Sequence, residues 1–217
     1  HYGYDPAGRL TSVVRPSGVT INMVYDAGGR LIERIAKRAD GTDESHDTFR
    51  WDASSNLIEW HTPIASATLS YDDNDGLLRE AVTQRGVTMS RSYTYYANRQ
   101  VKSYTGPDGN TIVYAYNGNG QLDRMDLPGA GSISVTAREW LAPSEIVFPG
   151  GSRLTISHNA FSETTEVRAT SPTQATLLSQ SYQYGVMGEL TQRSIAEQST
   201  SYTYDNALHL TEADKAG

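Results

Sequence analysis

Hydrophobic and polar residues alternate along this chain in short runs. From Thr20 to Tyr25, Ile21, Met23 and Tyr25 fall on one parity and Thr20, Asn22 and Val24 on the other. A period of two marks a strand with one covered face and one wetter face. Each run stops at a turn signal, of which Pro16-Ser17-Gly18, Pro107-Asp108-Gly109, Pro128-Gly129 and Pro149-Gly150 are the clearest. Apart from Ile32 to Arg38, which admits a short turn, no stretch carries an apolar stripe at helical spacing. The expected class is all-β, strand and turn without interruption.

The runs are copies of one unit. Tyr4-Asp5-Pro6-Ala7-Gly8-Arg9-Leu10, Tyr25-Asp26-Ala27-Gly28-Gly29-Arg30-Leu31 and Tyr116-Asn117-Gly118-Asn119-Gly120-Gln121-Leu122 align without gaps. Looser copies start at Trp51, Tyr71, Tyr95, Tyr184 and Tyr204, each with an aliphatic residue six positions on. Degenerate copies pair Trp140 with Ile146 and His158 with Thr164. The ten anchors recur about every 22 residues, a tandem array rather than a mosaic of motifs.

The unit has a physical reading as a hairpin. Asp opens a type I turn, Pro suits its second position, and Gly takes the left-handed place that closes a three-residue loop. Asp5 then pairs with Arg9, and Tyr4 faces Leu10 across the strands. The six-residue spacing is therefore a cross-strand contact. The tyrosines two positions earlier, Tyr2, Tyr93, Tyr114, Tyr182 and Tyr202, share the face of their anchors. This register places 12 of the 14 tyrosines and leaves out Tyr96 and Tyr104.

Ten hairpins make about 20 strands, a ribbon roughly 95 Å wide at strand spacing. A sheet that wide curls. Residues 1–217 are expected to form a single array of about ten repeats, weakest between Glu139 and Gly151, and to be a piece of a longer array. No charged-then-apolar leader follows His1 and no apolar run is long enough to span a bilayer as a helix.

Composition sharpens this picture. With no cysteine, thiol catalysis, thiolate metal sites and disulfides are excluded. Eighteen basic against 25 acidic residues, a formal charge of −7, speak against a nucleic-acid partner. Fourteen tyrosines against three phenylalanines suggest half-wet faces, since tyrosine keeps a hydroxyl that seeks water or a partner.

The Tyr-Asp-x-x-Gly-x-Leu core followed by Pro-x-Gly, over essentially residues 2 to 212, resembles the YD repeats of the Rhs family, found also in the C components of insecticidal Tc toxins and in teneurins. The resemblance implies a spiral β-sheet that forms an arc of a hollow shell. In bacterial members such a shell encloses a C-terminal toxin domain, so the implied partners are the rest of a parent chain and its enclosed toxin, and the implied placement is secreted or at the cell surface. Family members that close their shell also carry an aspartyl self-cleavage motif built on Asp-Pro-x-Gly. Asp5-Pro6-Ala7-Gly8 has those letters but lies in the first hairpin, in register with Asp26-Ala27-Gly28-Gly29, and reads as a turn.

Other candidate chemistry dissolves into the same register. Asp5, Asp26, Asp52, Asp72 and Asp205 occupy the turn position, where an aspartate accepts backbone N–H groups. Asp72-Asp73-Asn74-Asp75-Gly76 begins like a calcium loop but lacks the closing glutamate. The five histidines, His1, His46, His61, His158 and His209, show no ligand spacing on one strand. Gly118-Asn119-Gly120 opens like a nucleotide fingerprint with no helix to follow. No catalytic, cofactor or metal residue is therefore assigned, and the expected function is a non-catalytic shell module. The rival is a surface module that binds carbohydrate by stacking, with Trp51 and Trp60 as its rings. Unpaired edge strands would allow self-association.

Overall fold

The computed structural model describes residues 1–216. Its residues group into two compact units, His1–Thr111 and a second from Ile112 onward. The first holds β1 (Tyr2–Tyr4), β2 (Leu10–Val14), β3 (Thr20–Tyr25), β4 (Leu31–Lys37), β5 (Asp43–Trp51), β6 (Leu57–His61), β7 (Ala65–Tyr71), β8 (Leu77–Gln84), β9 (Val87–Tyr95) and β10 (Val101–Thr105). The second holds β11 (Thr111–Tyr116), whose first residue closes the first unit, β12 (Leu122–Leu127), β13 (Gly131–Glu139), β14 (Ala142–Val147), β15 (Arg153–His158), β16 (Thr164–Thr170), β17 (Thr176–Tyr184), β18 (Leu190–Ile195), β19 (Gln198–Tyr204) and β20 (Leu210–Ala216). A single 3-10 turn, Pro149–Gly151, sits between β14 and β15.

Within each unit every strand pairs antiparallel with the next, a plain meander. The fold is all-β and built of tandem hairpins, as the alternation and the turn signals require. The short turn admitted at Ile32 to Arg38 is instead the body of β4. Its β-branched Ile32 and Ile35 suit a pleated surface, and its partners β3 and β5 decide the matter.

The anchor register is observed directly. Tyr4 faces Leu10, Tyr25 faces Leu31, Trp51 faces Leu57, Tyr71 faces Leu77 and Tyr95 faces Val101. In the second unit Tyr116 faces Leu122, His158 faces Thr164, Tyr184 faces Leu190 and Tyr204 faces Leu210. The register shifts by one residue beside each of these pairs. In the first hairpin Gly3 faces Ser12 while Tyr4 faces Leu10, so Thr11 is the extra, bulged residue. Such a bulge is the usual companion of a three-residue hairpin loop that ends in a left-handed residue.

Beyond the first hairpin, whose Tyr2 and Tyr4 are exposed, the face that carries the anchors is the covered one in β5 and β7. Along β5, Ser45, Asp47, Phe49 and Trp51 are sheltered, while His46, Thr48 and Arg50 are exposed. In β7 the same alternation shelters Ala65, Ala67, Leu69 and Tyr71 and exposes Thr68 and Ser70. Ala67 is only 2% exposed because Trp60 and Val82 stand directly opposite it on the two neighbouring strands. Tyr104, which the repeat register left out, joins this face opposite Tyr93, with ring centroids 5.3 Å apart.

A repeated hairpin corner as the candidate functional site

The chemistry of the chain is concentrated in one corner that recurs from hairpin to hairpin. In the first copy the Asp5 N–H donates to the Arg9 carbonyl at 2.9 Å and the Gly8 N–H to the Asp5 carbonyl at 2.9 Å. Asp5 Oδ1 accepts the N–H groups of Ala7 and Arg9, at 3.0 and 2.9 Å. Asp5 Oδ2 accepts Arg9 Nε at 2.7 Å. Asp26 and Arg30 repeat the arrangement, as do Asp52 with Asn56 and Asp205 with His209. Asn117 and Asn159 perform the same task with an amide oxygen.

These contacts set the electrostatics. The carboxyls of Asp5, Asp26, Asp52 and Asp205 lie below the ordinary aspartate range, chiefly because each accepts the backbone N–H of the residue four positions on. A carboxylate held in this way is a fixed acceptor and a poor proton carrier. Asp52, Asp72, Asp73 and Asp75 line an open depression of about 630 Å³ beside Tyr71. Asp72 Oδ1 is taken by the Asn74 and Gly76 N–H groups, and Asp75 Oδ1 by the Asn56 amide.

The anchor hydroxyl performs the second task. Tyr25 donates to the Leu10 carbonyl of the preceding hairpin at 2.8 Å, Tyr71 to Leu57 at 3.0 Å and Tyr95 to Leu77 at 2.8 Å. Tyr184 donates to the Thr164 carbonyl and Tyr204 to that of Leu190, both at 2.9 Å. Trp51 does the same with its indole Nε1, which donates to the Leu31 carbonyl at 2.7 Å. Each acceptor opens the return strand of the hairpin before, the position facing that hairpin's own anchor. Burial pushes the Tyr71, Tyr95 and Tyr184 phenols up, with nearby carboxylates adding to the effect.

Arginine ties consecutive turns. Arg30 Nη1 reaches the Asp52 carbonyl at 2.6 Å and Arg9 Nη1 the Asp26 carbonyl at 3.5 Å, with the Arg9 guanidinium 5.0 Å from the centre of the Tyr25 ring. Asp, Gly, Arg and Tyr of the motif therefore all serve turn closure or hairpin stacking.

One placement corrects the sequence reading. The degenerate anchor pair Trp140 and Ile146 does not form, since Ile146 faces Val135 and Trp140 is the tip of a two-residue turn, 88% exposed. Two register shifts in β13 carry the repeat past the expected position. Arg138 supplies the missing latch, donating to the Leu122 carbonyl and pairing with Asp123. The stacking rings proposed at Trp51 and Trp60 are half-buried members of the anchor face, with Trp51 spent on its carbonyl and Trp60 opposite Phe49 and Ala67. His158 fills its tyrosine slot with an imidazole whose Nδ1 lies 2.9 Å from Glu139 Oε2.

Among the described residues no group of three or more histidine, aspartate or glutamate side chains converges as a metal site. No helix is long and apolar enough to cross a membrane.

Comparison with known proteins agrees with this geometry. Residues 2–43 match the RHS repeat model and residues 45–216 match the Teneurin YD-shell model. No curated protein matches the chain. A crystal structure of TcdB2-TccC3-Cdc42 superposes with a TM-score of 0.80 at 16% identity, covering 98% of this chain and 13% of that one. A Tc holotoxin pore from Photorhabdus luminescens gives 0.79 at 16% identity, covering 98% of this chain and 12% of that one. The chain thus spans about an eighth of the length of these structures, and at such identities the likeness is one of fold.

Proposed function

We propose that this chain, which belongs to the Teneurin YD-shell family, is a non-catalytic structural module: an arc of an Rhs-type β-shell that encloses a C-terminal toxin for secretion or delivery. The observation that carries this reading is the latch that Tyr25, Trp51, Tyr71, Tyr95, Tyr184 and Tyr204 each make to a carbonyl of the hairpin before. It spends the motif's distinctive side chains on propagating one geometry, which is what a wall requires. A catalytic site calls for groups placed against a substrate, whereas here the aspartates are consumed by turn N–H groups and the tyrosines by carbonyls.

The partners in this reading are the remainder of a parent chain and its enclosed domain, and the placement is outside the producing cell or at its surface. Residues 1–217 act as one array within that wall. The test is limited proteolysis of the full-length parent protein. A domain C-terminal to the array should resist protease while the shell is intact and become cleavable once urea opens it. Equal cleavage in both states would overturn the reading.

A further inference from the structure

One corner of the array departs from the others at two neighbouring positions. Where Asp5, Asp26, Asp52, Asp72 and Asp205 close their turns with a carboxylate, this corner has Asn117. The next position is Pro6 in the first hairpin and Ala27, Ala53, Ala97 and Ala160 in later ones, and here it is Gly118. Nothing in the turn asks for glycine there. The left-handed place belongs to Gly120, at φ 76°, and a Cβ added to Gly118 would meet nothing within 4 Å. Asn159, the other amide in the carboxylate's place, is followed by Ala160.

The two departures make a reactive pair. Covalent connectivity lets an asparagine side-chain carbon and the next main-chain nitrogen close a five-membered ring, and glycine removes the Cβ that hinders the swing of that peptide. The corner makes no use of the Gly118 N–H, since Pro6 has none in the same place. Asn117 Oδ1 accepts the N–H groups of Asn119 and Gln121, both at 3.0 Å, and Nδ2 donates to Gln121 Oε1 at 2.9 Å. Two donors on the oxygen draw charge from Cγ and stand where the negative charge of a tetrahedral intermediate develops. Asn119-Gly120 has the same letters without these advantages. Its nucleophile, the Gly120 nitrogen, closes the turn by donating its N–H to the Asn117 carbonyl at 2.9 Å.

We infer that Asn117 is a self-modifying residue: its amide is lost through attack of the Gly118 nitrogen, and the corner turns it into the aspartate that the other repeats encode. The Gly118 N–H gives its proton to water, the nitrogen bonds to Cγ, and Nδ2 leaves as ammonia, closing a five-membered imide. Water then adds at Cγ, and the bond from Cγ to the Gly118 nitrogen breaks. The nitrogen regains its proton and a carboxyl group remains. The net change consumes a water and releases an ammonia, with no change of oxidation state.

The corner accepts the product. A carboxylate at position 117 keeps the Asn119 and Gln121 donors, as Asp5 keeps those of Ala7 and Arg9, and bonds to an ionised acceptor are the stronger ones. The Gln121 amide presents its nitrogen to the new carboxylate by turning over, the arrangement that Asp52 and Asn56 already show at 3.1 Å. Water adding instead at the main-chain carbon gives isoaspartate, whose backbone is a methylene longer. That extra length breaks the three-residue loop on which the pairing of Tyr116 with Leu122 depends. The folded chain therefore favours aspartate.

The test is tryptic mapping of the full chain, kept folded at mildly alkaline pH and sampled over days. The peptide 103–124 holds both Asn-Gly pairs, and its fragmentation separates position 117 from position 119. Asn117 should become aspartate while Asn119 and Asn159 remain amides. Gly118→Ala, which copies Ala27 and Ala53, should leave the thermal midpoint unchanged and slow the conversion by at least about tenfold. Asn117→Asp should melt no lower than wild type. An isoaspartyl methyltransferase should label position 117 weakly in the folded chain and strongly after the same incubation in urea. Survival of Asn117 for as long as Asn159, earlier conversion of Asn119, or an unchanged rate in Gly118→Ala would each overturn the inference. So would a lower midpoint for Asn117→Asp, or isoaspartate prevailing at position 117 in the folded chain.

Discussion

The Tyr95 hydroxyl donates to the Leu77 carbonyl at 2.8 Å, across 18 residues of sequence, and so joins the anchor of one hairpin to the return strand of the hairpin before. Leu77 is itself the cross-strand partner of Tyr71. Tyr25, Trp51, Tyr71, Tyr95, Tyr184 and Tyr204 each pack within their own hairpin and bond to the previous one, so these hairpins are stitched in one direction by a bond that phenylalanine cannot make. This accounts for the excess of tyrosine over phenylalanine better than wet faces do.

Tyr95→Phe keeps the ring and removes the donor, leaving the sheltered Leu77 carbonyl unpaired. The expected cost is about 1–2 kcal/mol, read as a lower urea midpoint at unchanged slope. Tyr4 is 62% exposed and begins the first hairpin. Tyr4→Phe should shift stability by no more than about 0.5 kcal/mol.

The left-handed turn position gives a pair of opposite effects. Gly29 has φ 80°, and a Cβ there would stand 3.3 Å from Arg9 Nη1. Gly29→Ala should destabilise by about 1 kcal/mol. Ser162 occupies the equivalent place at φ 65°. Ser162→Gly should raise the melting temperature by relieving backbone strain, unless the added freedom of the unfolded chain cancels the gain. A midpoint lower than wild type for Ser162→Gly would contradict this account of the corner.

Stability should fall at both extremes of pH. The carboxyls of Asp5, Asp26, Asp52 and Asp205 are lowered in the folded state by turn N–H groups. Unfolding therefore takes up protons in acid. Their contribution is complete above the unfolded aspartate value of about 3.9 and is lost as pH falls through the lowered folded values. The Tyr71, Tyr95 and Tyr184 phenols are raised by burial. Their contribution is complete below about pH 10 and is lost as pH rises through the raised values. Urea midpoints across the pH range check both arms, and Tyr71→Phe should flatten the alkaline one.

Two ion pairs of similar length should differ in worth. Arg34 Nη2 meets Asp47 Oδ2 at 2.5 Å, with the Asp47 side chain 3% exposed. Arg50 meets Glu59 at 2.5 Å with both side chains in water. Asp47→Ala removes the two charge-assisted bonds from Arg34 Nε and Nη2, while the exposed guanidinium keeps its water, and should cost about 1.5–2 kcal/mol. Glu59→Ala should cost less than about 1 kcal/mol. Chemical denaturation of the two variants makes the comparison.

Much of the architecture was legible in the chain because the determining interactions are local. The hairpin loop, its left-handed residue and the aspartate that accepts its N–H groups lie within five consecutive residues. The pairing of Tyr25 with Leu31 follows from that loop and from the two-residue period of strands. Trp140 shows where this reasoning fails. Its six-residue spacing to Ile146 imitates the motif, yet no Asp or Gly follows it to close the loop. The strand pairing of β13 with β14 then places Trp140 at the tip. Arg138 gave no signal as a latch, since nothing in its neighbourhood identifies which carbonyl it reaches.

The repeat, the all-β class and the register inside each hairpin follow from neighbouring residues alone, because a turn of three residues constrains its own flanks. The contacts between hairpins emerge only in the folded chain. The bond from Tyr25 to the Leu10 carbonyl, the reach of Arg30 to Asp52, the covered face around Ala67 and the bare tips at Trp140 and Phe161 depend on how one hairpin rests on the next. That placement is set by backbone hydrogen bonding and side-chain shape summed over two strands, to which no single window of residues answers.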